Sequence, residues 1–109
     1  MSQLPTVVSQ YQDAHDRRDV ETALAAFTSN AIVRDDGHTY RGAAEIRDWL
    51  ARASAQFMYT RTLLAGEVVD DSTWLVNNSL EGDFPGGVDD LRYRFVLDGD
   101  LITALEIAP

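Results

Sequence analysis

The chain has 109 residues, of which 45% are hydrophobic and 9% aromatic, and this composition predicts one folded domain over residues 1–109 rather than a disordered segment. A formal net charge of −9 argues against nucleic acids and anionic membrane surfaces as partners, because like charges repel. The absence of cysteine excludes disulfides and thiolate metal sites, and the lack of both a ~20-residue apolar run and an export signal predicts a cytoplasmic protein without a membrane span.

The first half of the chain predicts three helices separated by short strands. Residues at steps of three and four form one face of a first helix, namely Val7, Val8, Tyr11, Ala14 and His15. Asp19 is a suitable N-cap for a second helix, whose buried stripe consists of Val20, Ala23, Leu24 and Phe27. Residues 31–33 and 39–40 predict two short strands. A third helix begins at Gly42, with an apolar face formed by Ala43, Ile46, Trp49 and Leu50.

From Phe57 onward the hydrophobic period changes to two, which predicts strands. They cover residues 57–69, 73–80, 91–97 and 101–108, with turns at residues 70–71, 83–87 and 98–100. One of Asn77 and Asn78 must face inward, where a buried amide requires hydrogen-bond partners. Three helices followed by an antiparallel meander predict an α+β fold with the helices on one sheet face.

Two stretches resemble the SnoaL-like and ketosteroid isomerase-like branch of the nuclear transport factor two-like superfamily. They are YQDAHDRRDVETALAAFTSNAIVRDDGHTYRGAAEIRDWL (11–50) and RYRFVLDGDLITALEIAP (92–109), and the resemblance extends from about Val7 to Ile107. It implies a cone-shaped, cystatin-like α+β barrel, in which three N-terminal helices pack on a curved, mixed or antiparallel sheet of about six strands around a pocket. It also implies a homodimer and chemistry that often needs no metal or organic cofactor.

The resemblance assigns catalytic roles to three residues. In ketosteroid isomerases a tyrosine of the first helix binds the enolate oxygen, and an aspartate that ends the first strand is the base. Gapless alignment places Tyr11 and Asp35 at these positions, so that Asp35 faces the cavity and Asp36 the solvent. Other branches pair a histidine with an aspartate, which makes His15, one helical turn beyond Tyr11, the third candidate. Leu91 occupies the place of the second pocket acid of the isomerases, with Asp89 and Asp90 nearby.

An apolar pocket around Asp35 would raise the pKa of its carboxyl group toward a useful range for proton transfer. The expected walls of this pocket are Phe27, Trp49, Phe57, Tyr59, Asn78, Leu91 and Tyr93. The predicted function is cofactor-independent proton transfer, of the isomerase, cyclase or dehydratase type, on a small hydrophobic carbonyl or ring compound. No metal site is expected, because the two histidines have neither HxH nor HxxxH spacing.

Other interpretations of the same residues remain open. Asp35 could be a solvated acid at the end of a strand, and both Tyr11 and His15 could be packed residues of a helix face. The alternative function is therefore a domain without chemistry that binds a small ligand or associates with a second copy. A homodimer through the outer sheet face is expected in either case, because Val96 and one side of residues 73–80 would otherwise expose apolar surface.

Overall fold

The computed structural model describes residues 4–56, 59–82 and 86–109, without the side chains of residues 53–56. Its helices are α1 Thr6–Asp16, α2 Val20–Ala25 and α3 Gly42–Gln56. Its strands are β1 Phe27–Asp35, β2 His38–Arg41, β3 Tyr59–Val68, β4 Thr73–Gly82, β5 Val88–Asp98 and β6 Leu101–Ala108. The described strands form one sheet in the order β2-β1-β6-β5-β4-β3, in which only the β1–β6 pair is parallel. The predicted α+β fold with a mixed six-stranded sheet is confirmed.

The second helix begins as predicted but ends before Phe27. The Asp19 side chain accepts a hydrogen bond from the backbone N–H of Thr22 at 3.2 Å and so caps the helix. The backbone carbonyl of Ala26 accepts from the N–H of Ile102 at 2.8 Å, and Phe27 pairs with Ile102 as the first residue of β1. The placement of Phe27 in the helix was therefore wrong, because pairing with a strand distant in sequence replaces the helical hydrogen bonds there.

The core lies between the helices and the inner face of the sheet. Buried side chains from α1, α3 and the central strands meet there, including Val8, Tyr11, Ile46, Leu50, Phe95, Ile102 and Leu105. Tyr11 is only 1% exposed, and its ring contacts Phe27 and Phe95 edge-on at centroid distances of 5.3 and 5.8 Å. Ala43, expected on the buried side of α3, is exposed.

A buried polar cluster fixes α1 over β3 and β4. Asn78 is fully buried, and its Nδ2 donates to Gln12 Oε1 at 2.7 Å while its Oδ1 accepts from Arg61 at 3.1 Å. The Arg61 guanidinium also pairs with Asp16 at 2.9 Å. Asn78 is thus the inward-facing amide of the pair, and its neighbour Asn77 has a buried Oδ1 without a partner among the described residues.

The outer face of the sheet, opposite α1 and α3, carries the side chains of Arg92, Arg94 and Val96. Val96 pairs with Ala104 of β6, which pairs with Ile32 of β1, so these three partly buried residues form an apolar row across three strands. None of the described helices is long and apolar enough to span a membrane.

Candidate functional site

A two-residue turn between β1 and β2 determines where Asp35 points. Asp36 and Gly37 have φ angles of 51° and 77°, and Asp35 pairs with His38 on either side of them. Positive φ at both central residues is the geometry of a type I′ hairpin turn, which an Asp-Gly pair favours. Asp35 pairs laterally with Ile107, and Ile107 with Tyr93, so these side chains share the inner face. Asp36 is exposed in the turn.

A cavity of about 750 Å³ opens at this end of the sheet. Its volume lies within the range typical of small-molecule sites. Among the residues predicted to form or act in the pocket, its described lining includes His15, Asp35, Trp49, Tyr59, Leu91 and Tyr93. Leu80 and Ile107, which the sequence analysis did not assign to the pocket, add apolar wall. The alternation of inward residues along β4 and β6 could have indicated both.

Two other predicted wall residues do not belong to the described cavity lining. Phe27 packs against the Tyr11 ring in the core, because its strand starts beneath α1 rather than at the cavity. Asn78 is occupied by Gln12 and Arg61 in the polar cluster and does not line the described cavity wall. Phe57 lies outside the described residues, as do residues 83–85 of the predicted loop.

Asp35 is held by α3. The indole Nε1–H of Trp49 donates to Asp35 Oδ2 at 3.0 Å, and the carboxyl group is half-buried. Burial raises the pKa of Asp35 because it disfavours the charged form, while the Trp49 hydrogen bond opposes that change by stabilising the carboxylate. Asp35 forms no ion pair with a described basic side chain. It is therefore a carboxyl group with a raised pKa and one oxygen left for a ligand.

His15 lies between Tyr11 and the cavity. The Tyr11 hydroxyl is 3.3 Å from His15 Nδ1, and Tyr11 itself does not belong to the described lining. Burial lowers the pKa of His15, so its imidazole is neutral at pH 7. Burial also raises the pKa of Tyr11 well above 10, so the phenol keeps its proton. Of these two predicted catalytic residues, His15 belongs to the described cavity lining and Tyr11 lies behind it.

Two tyrosines add neutral polar groups to the cavity lining. Burial raises the pKa of Tyr59 to about 12 and that of Tyr93 further, so both hydroxyls are protonated donors at neutral pH. The Tyr93 ring stacks on Phe95 with centroids 6.2 Å apart, which orients it. Both were predicted only as walls, and the alternation Leu91, Tyr93, Phe95 in β5 was the signal for Tyr93.

The alternation of side chains along β5 decides which of the residues at and next to Leu91 face the cavity. Leu91 lines the cavity, and so does Asp89, whereas Asp90 does not belong to the described lining. Asp89 is exposed at the rim, so it does not reproduce a buried, protonated acid. No group of three or more His, Asp or Glu side chains suited to a metal ion occurs among the described residues.

The arrangement brings together one carboxyl group with a raised pKa and three neutral groups able to donate a hydrogen bond. The carboxylate can accept a proton from carbon or oxygen, and neutral donors can stabilise negative charge that develops on a ligand oxygen. Leu80, Leu91 and Ile107 form apolar wall, and charged or polar side chains also line the cavity, namely Arg34, Asp36, His38, Thr39, Asp89 and Glu106.

Known proteins share this fold and family. The family model of the SnoaL-like domain matches residues 8–100. The crystal structure of a candidate polyketide cyclase, protein SMa1630 from Sinorhizobium meliloti, is 31% identical with a TM-score of 0.90, covering 96% of this chain and 95% of that chain. None of the curated proteins compared with the chain matches it.

Two further structures share the fold at lower identity. SalBIII, an epoxide hydrolase/cyclase-like enzyme of pyran ring formation in the polyether salinomycin, is 18% identical with a TM-score of 0.81, covering 93% of this chain and 85% of that chain. RV0760c from Mycobacterium tuberculosis, solved in complex with estradiol-17beta-hemisuccinate, is 15% identical with a TM-score of 0.80. The match covers 98% of this chain and 95% of that chain. The fold thus includes proteins described as cyclases and one solved with a steroid derivative.

Proposed function

This chain belongs to the SnoaL-like domain family, and we propose that it is a cofactor-independent enzyme that transfers a proton on a small, largely apolar carbonyl or ring compound. The observation that carries the proposal is the Asp35 carboxyl group, which is half-buried in a cavity of about 750 Å³ and held through one oxygen by Trp49. A strand-ending acid that only solubilised the protein would gain nothing from this position, because burial disfavours its charge.

In the proposed reaction Asp35 is the general base. Its free carboxylate oxygen removes a proton from the carbon next to a carbonyl group, so that a C–H bond breaks and an O–H bond forms. Negative charge moves to the carbonyl oxygen, where neutral donors stabilise it; the candidates that line the cavity are His15, Tyr59 and Tyr93. The Asp35 carboxylic acid then returns the proton to the same or another carbon, or to oxygen.

Tyr11 supports this site from behind His15 rather than by touching the ligand. This differs from the role that the resemblance implied for it, and the cavity donors His15 and Tyr93 take over that role in the proposal. Positioned acid–base groups contribute about 10²- to 10⁴-fold to rates, and single oxyanion donors about 10²- to 10³-fold. The relatives described as cyclases are consistent with such chemistry.

Deuterium exchange at the α-carbon of 2-tetralone in D₂O, followed by proton NMR, tests the proposal without knowledge of the natural substrate. The wild type is expected to accelerate exchange above the buffer rate, and Asp35→Asn is expected to lose about 10²- to 10⁴-fold of that acceleration. Asp71→Asn is the matched control, because Asp71 is an exposed acid that does not belong to the described cavity lining, and it should retain the wild-type rate.

The second candidate function is a binding domain of the same fold without chemistry. Leu91 in place of the second pocket acid favours it, because one donor site of the isomerases is then lost. Chemical shift changes on addition of 2-tetralone, with equal exchange in wild type and Asp35→Asn, would support this candidate against the enzyme.

We further propose that the protein is a cytoplasmic homodimer that associates through the outer face. The apolar row of Ile32, Val96 and Ala104 would be covered by the second copy. Burial of such a row is favourable at about 25 cal/mol per Å² of apolar surface.

A further inference from the structure

The Tyr11 hydroxyl and the His15 ring form a buried pair that the proposed chemistry does not yet explain. Tyr11 is 1% exposed, and its one hydrogen bond within the described residues joins its hydroxyl to His15 Nδ1 at 3.3 Å. The two residues are one helical turn apart on α1, and their rings meet edge-on at 5.8 Å. His15 also belongs to the described lining of the cavity.

We propose that Tyr11 is a positioning residue that donates its proton to His15 Nδ1 and thereby fixes the His15 tautomer with the proton on Nε2. His15 then presents an N–H donor, not a basic nitrogen, to the ligand. This inference deepens the proposed function and rests on it, because the proposed reaction identifies the ligand group that faces His15 as an acceptor oxygen, such as that of a carbonyl.

The direction of the hydrogen bond follows from the positions of the protons. If His15 carried its proton on Nδ1, that N–H would donate to the tyrosine oxygen, and the buried phenol proton would have no acceptor among the described residues. A buried donor left without a partner is destabilising, because its hydrogen bond to water is lost and not replaced. With the proton on Nε2, the phenol donates to Nδ1, so its proton has a partner and only the acceptor lone pairs of its oxygen are unused.

Burial outweighs the one neighbouring acid that favours a charged His15 ring. Asp16 favours a positive charge on the imidazole, but Arg61 holds its carboxylate at 2.9 Å. Arg61 from β3 and Arg18 beyond α1 both act against a positive charge on the imidazole. The rings of Trp49 and Tyr59, from α3 and β3, are neutral and lie 6.0 and 6.4 Å from the His15 ring. The imidazole is therefore neutral, with one proton to place.

The consequence is a division of roles in the cavity. Among the described carboxylates of the cavity lining, only Asp35 accepts a hydrogen bond from a neutral donor, the Trp49 indole. His15 contributes a hydrogen-bond donor from another wall of the cavity. Trp49 lies between them, since it donates to Asp35 and its ring borders His15. A ligand that satisfies both groups carries an acceptor oxygen toward His15 and an acidic C–H or O–H group toward Asp35.

The imidazole nitrogen resonances of uniformly ¹⁵N-labelled protein test the inference without any ligand. A long-range ¹H–¹⁵N correlation spectrum at pH 7.5 is expected to show His15 with a protonated Nε2 and an unprotonated Nδ1. The chain has two histidines, so His38→Asn assigns the signals. In Tyr11→Phe the Nδ1 resonance should shift, and the two nitrogen resonances should approach each other as the tautomers mix.

Tyr40→Phe is the matched control, because Tyr40 contacts the same Trp49 ring at 6.0 Å but does not contact His15 in the described structure. It should leave the His15 spectrum unchanged. A protonated Nδ1 in the wild type overturns the inference, even if Tyr11→Phe does not fold, and so does a Tyr11→Phe spectrum identical to the wild type. An Nε2–H tautomer in a protein that does not catalyse exchange of 2-tetralone overturns the proposed enzyme but supports the role of Tyr11.

Discussion

The indole N–H of Trp49 donates to Asp35 Oδ2 over 3.0 Å and so connects the middle of α3 to the last residue of β1. The two residues are 14 positions apart in sequence, and the β1–β2 hairpin brings them together. The bond stabilises the charged carboxylate, whereas burial destabilises it. In the proposed reaction, the balance of these two effects would decide how strong a base Asp35 is.

Replacement of Trp49 by phenylalanine is expected to raise the pKa of Asp35 further, because it removes the donor that favours the charged form and keeps the apolar wall. Titration of the Asp35 side-chain carbonyl by ¹³C NMR measures this change. Trp74→Phe on β4 is the control and should leave the titration unchanged, because no described contact joins Trp74 to Asp35. An unchanged or lower pKa in Trp49→Phe would show that the hydrogen bond is not formed in solution.

Asp35→Asn is expected to unfold less readily than the wild type at pH 7. The pKa of Asp35 is raised in the folded state, so above pH 3.8, the ordinary pKa of an aspartate side chain, the folded protein binds more protons than the unfolded chain. The free energy of unfolding of the wild type therefore falls, relative to that of the variant, as pH rises from 3.8 through the pKa of Asp35 in the folded protein. Urea denaturation between about pH 3.5 and 8 should show the two free energies of unfolding converging at the acidic end.

His15 is expected to make the fold sensitive to mild acid. Burial lowers its pKa below 6.5, so the unfolded chain binds a proton more readily than the folded protein. Stability is then lost as pH falls below 6.5 through the folded pKa, and His15→Gln should remove this part of the dependence. Thermal melts from about pH 7.5 to 5 measure it. A His38→Gln control that removed the same dependence would place the titration at the exposed histidine instead.

The polar cluster beneath α1 predicts opposite results for two adjacent amides. Asn78→Leu leaves Gln12 Oε1 and one Arg61 nitrogen without a buried partner, and should lower the free energy of unfolding by about 2–3 kcal/mol. Asn77→Leu removes an oxygen that has no partner in the described structure, and should change stability little or raise it. Urea denaturation measures the free energy of unfolding of both variants. Equal losses in the two variants would contradict the prediction that the polar cluster stabilises the fold through Asn78.

The proposed homodimer through the outer face predicts which surface responds to an added charge. Val96→Glu should shift the protein from dimer to monomer in sedimentation velocity at micromolar concentration, because it places a carboxylate in the apolar row. Leu64→Glu is the matched variant on the edge strand β3, where the leucine is 54% exposed, and it should leave the dimer intact. Dissociation by Leu64→Glu alone would move the interface to that edge.

Much of the candidate site was accessible from local sequence signals. The helical period placed Tyr11 and His15 on one face of α1, and strand alternation placed Tyr93 on the inner face of β5. The inward direction of Asp35 was predicted from the resemblance. The Asp-Gly pair that follows it forms the two-residue turn, which gives the Asp35 side chain the same inward direction. Phe27 was placed wrongly because its local pattern continues the helix, whereas the distant strand β6 pairs with it through Ile102.

The sequence by itself determined the family, the order of helices and strands, and the faces that are buried, because these depend on residue spacing within single elements. Only the tertiary structure decided which polar groups meet. It placed Trp49 on Asp35, His15 between Tyr11 and the cavity, and Asn78 on Gln12 rather than on a ligand. The Trp49–Asp35 and Asn78–Gln12 contacts join residues 14 and 66 positions apart, and they depend on side-chain direction and sheet curvature, which no local pattern encodes. The helical period brought Tyr11 and His15 together, but it did not place the cavity beside His15.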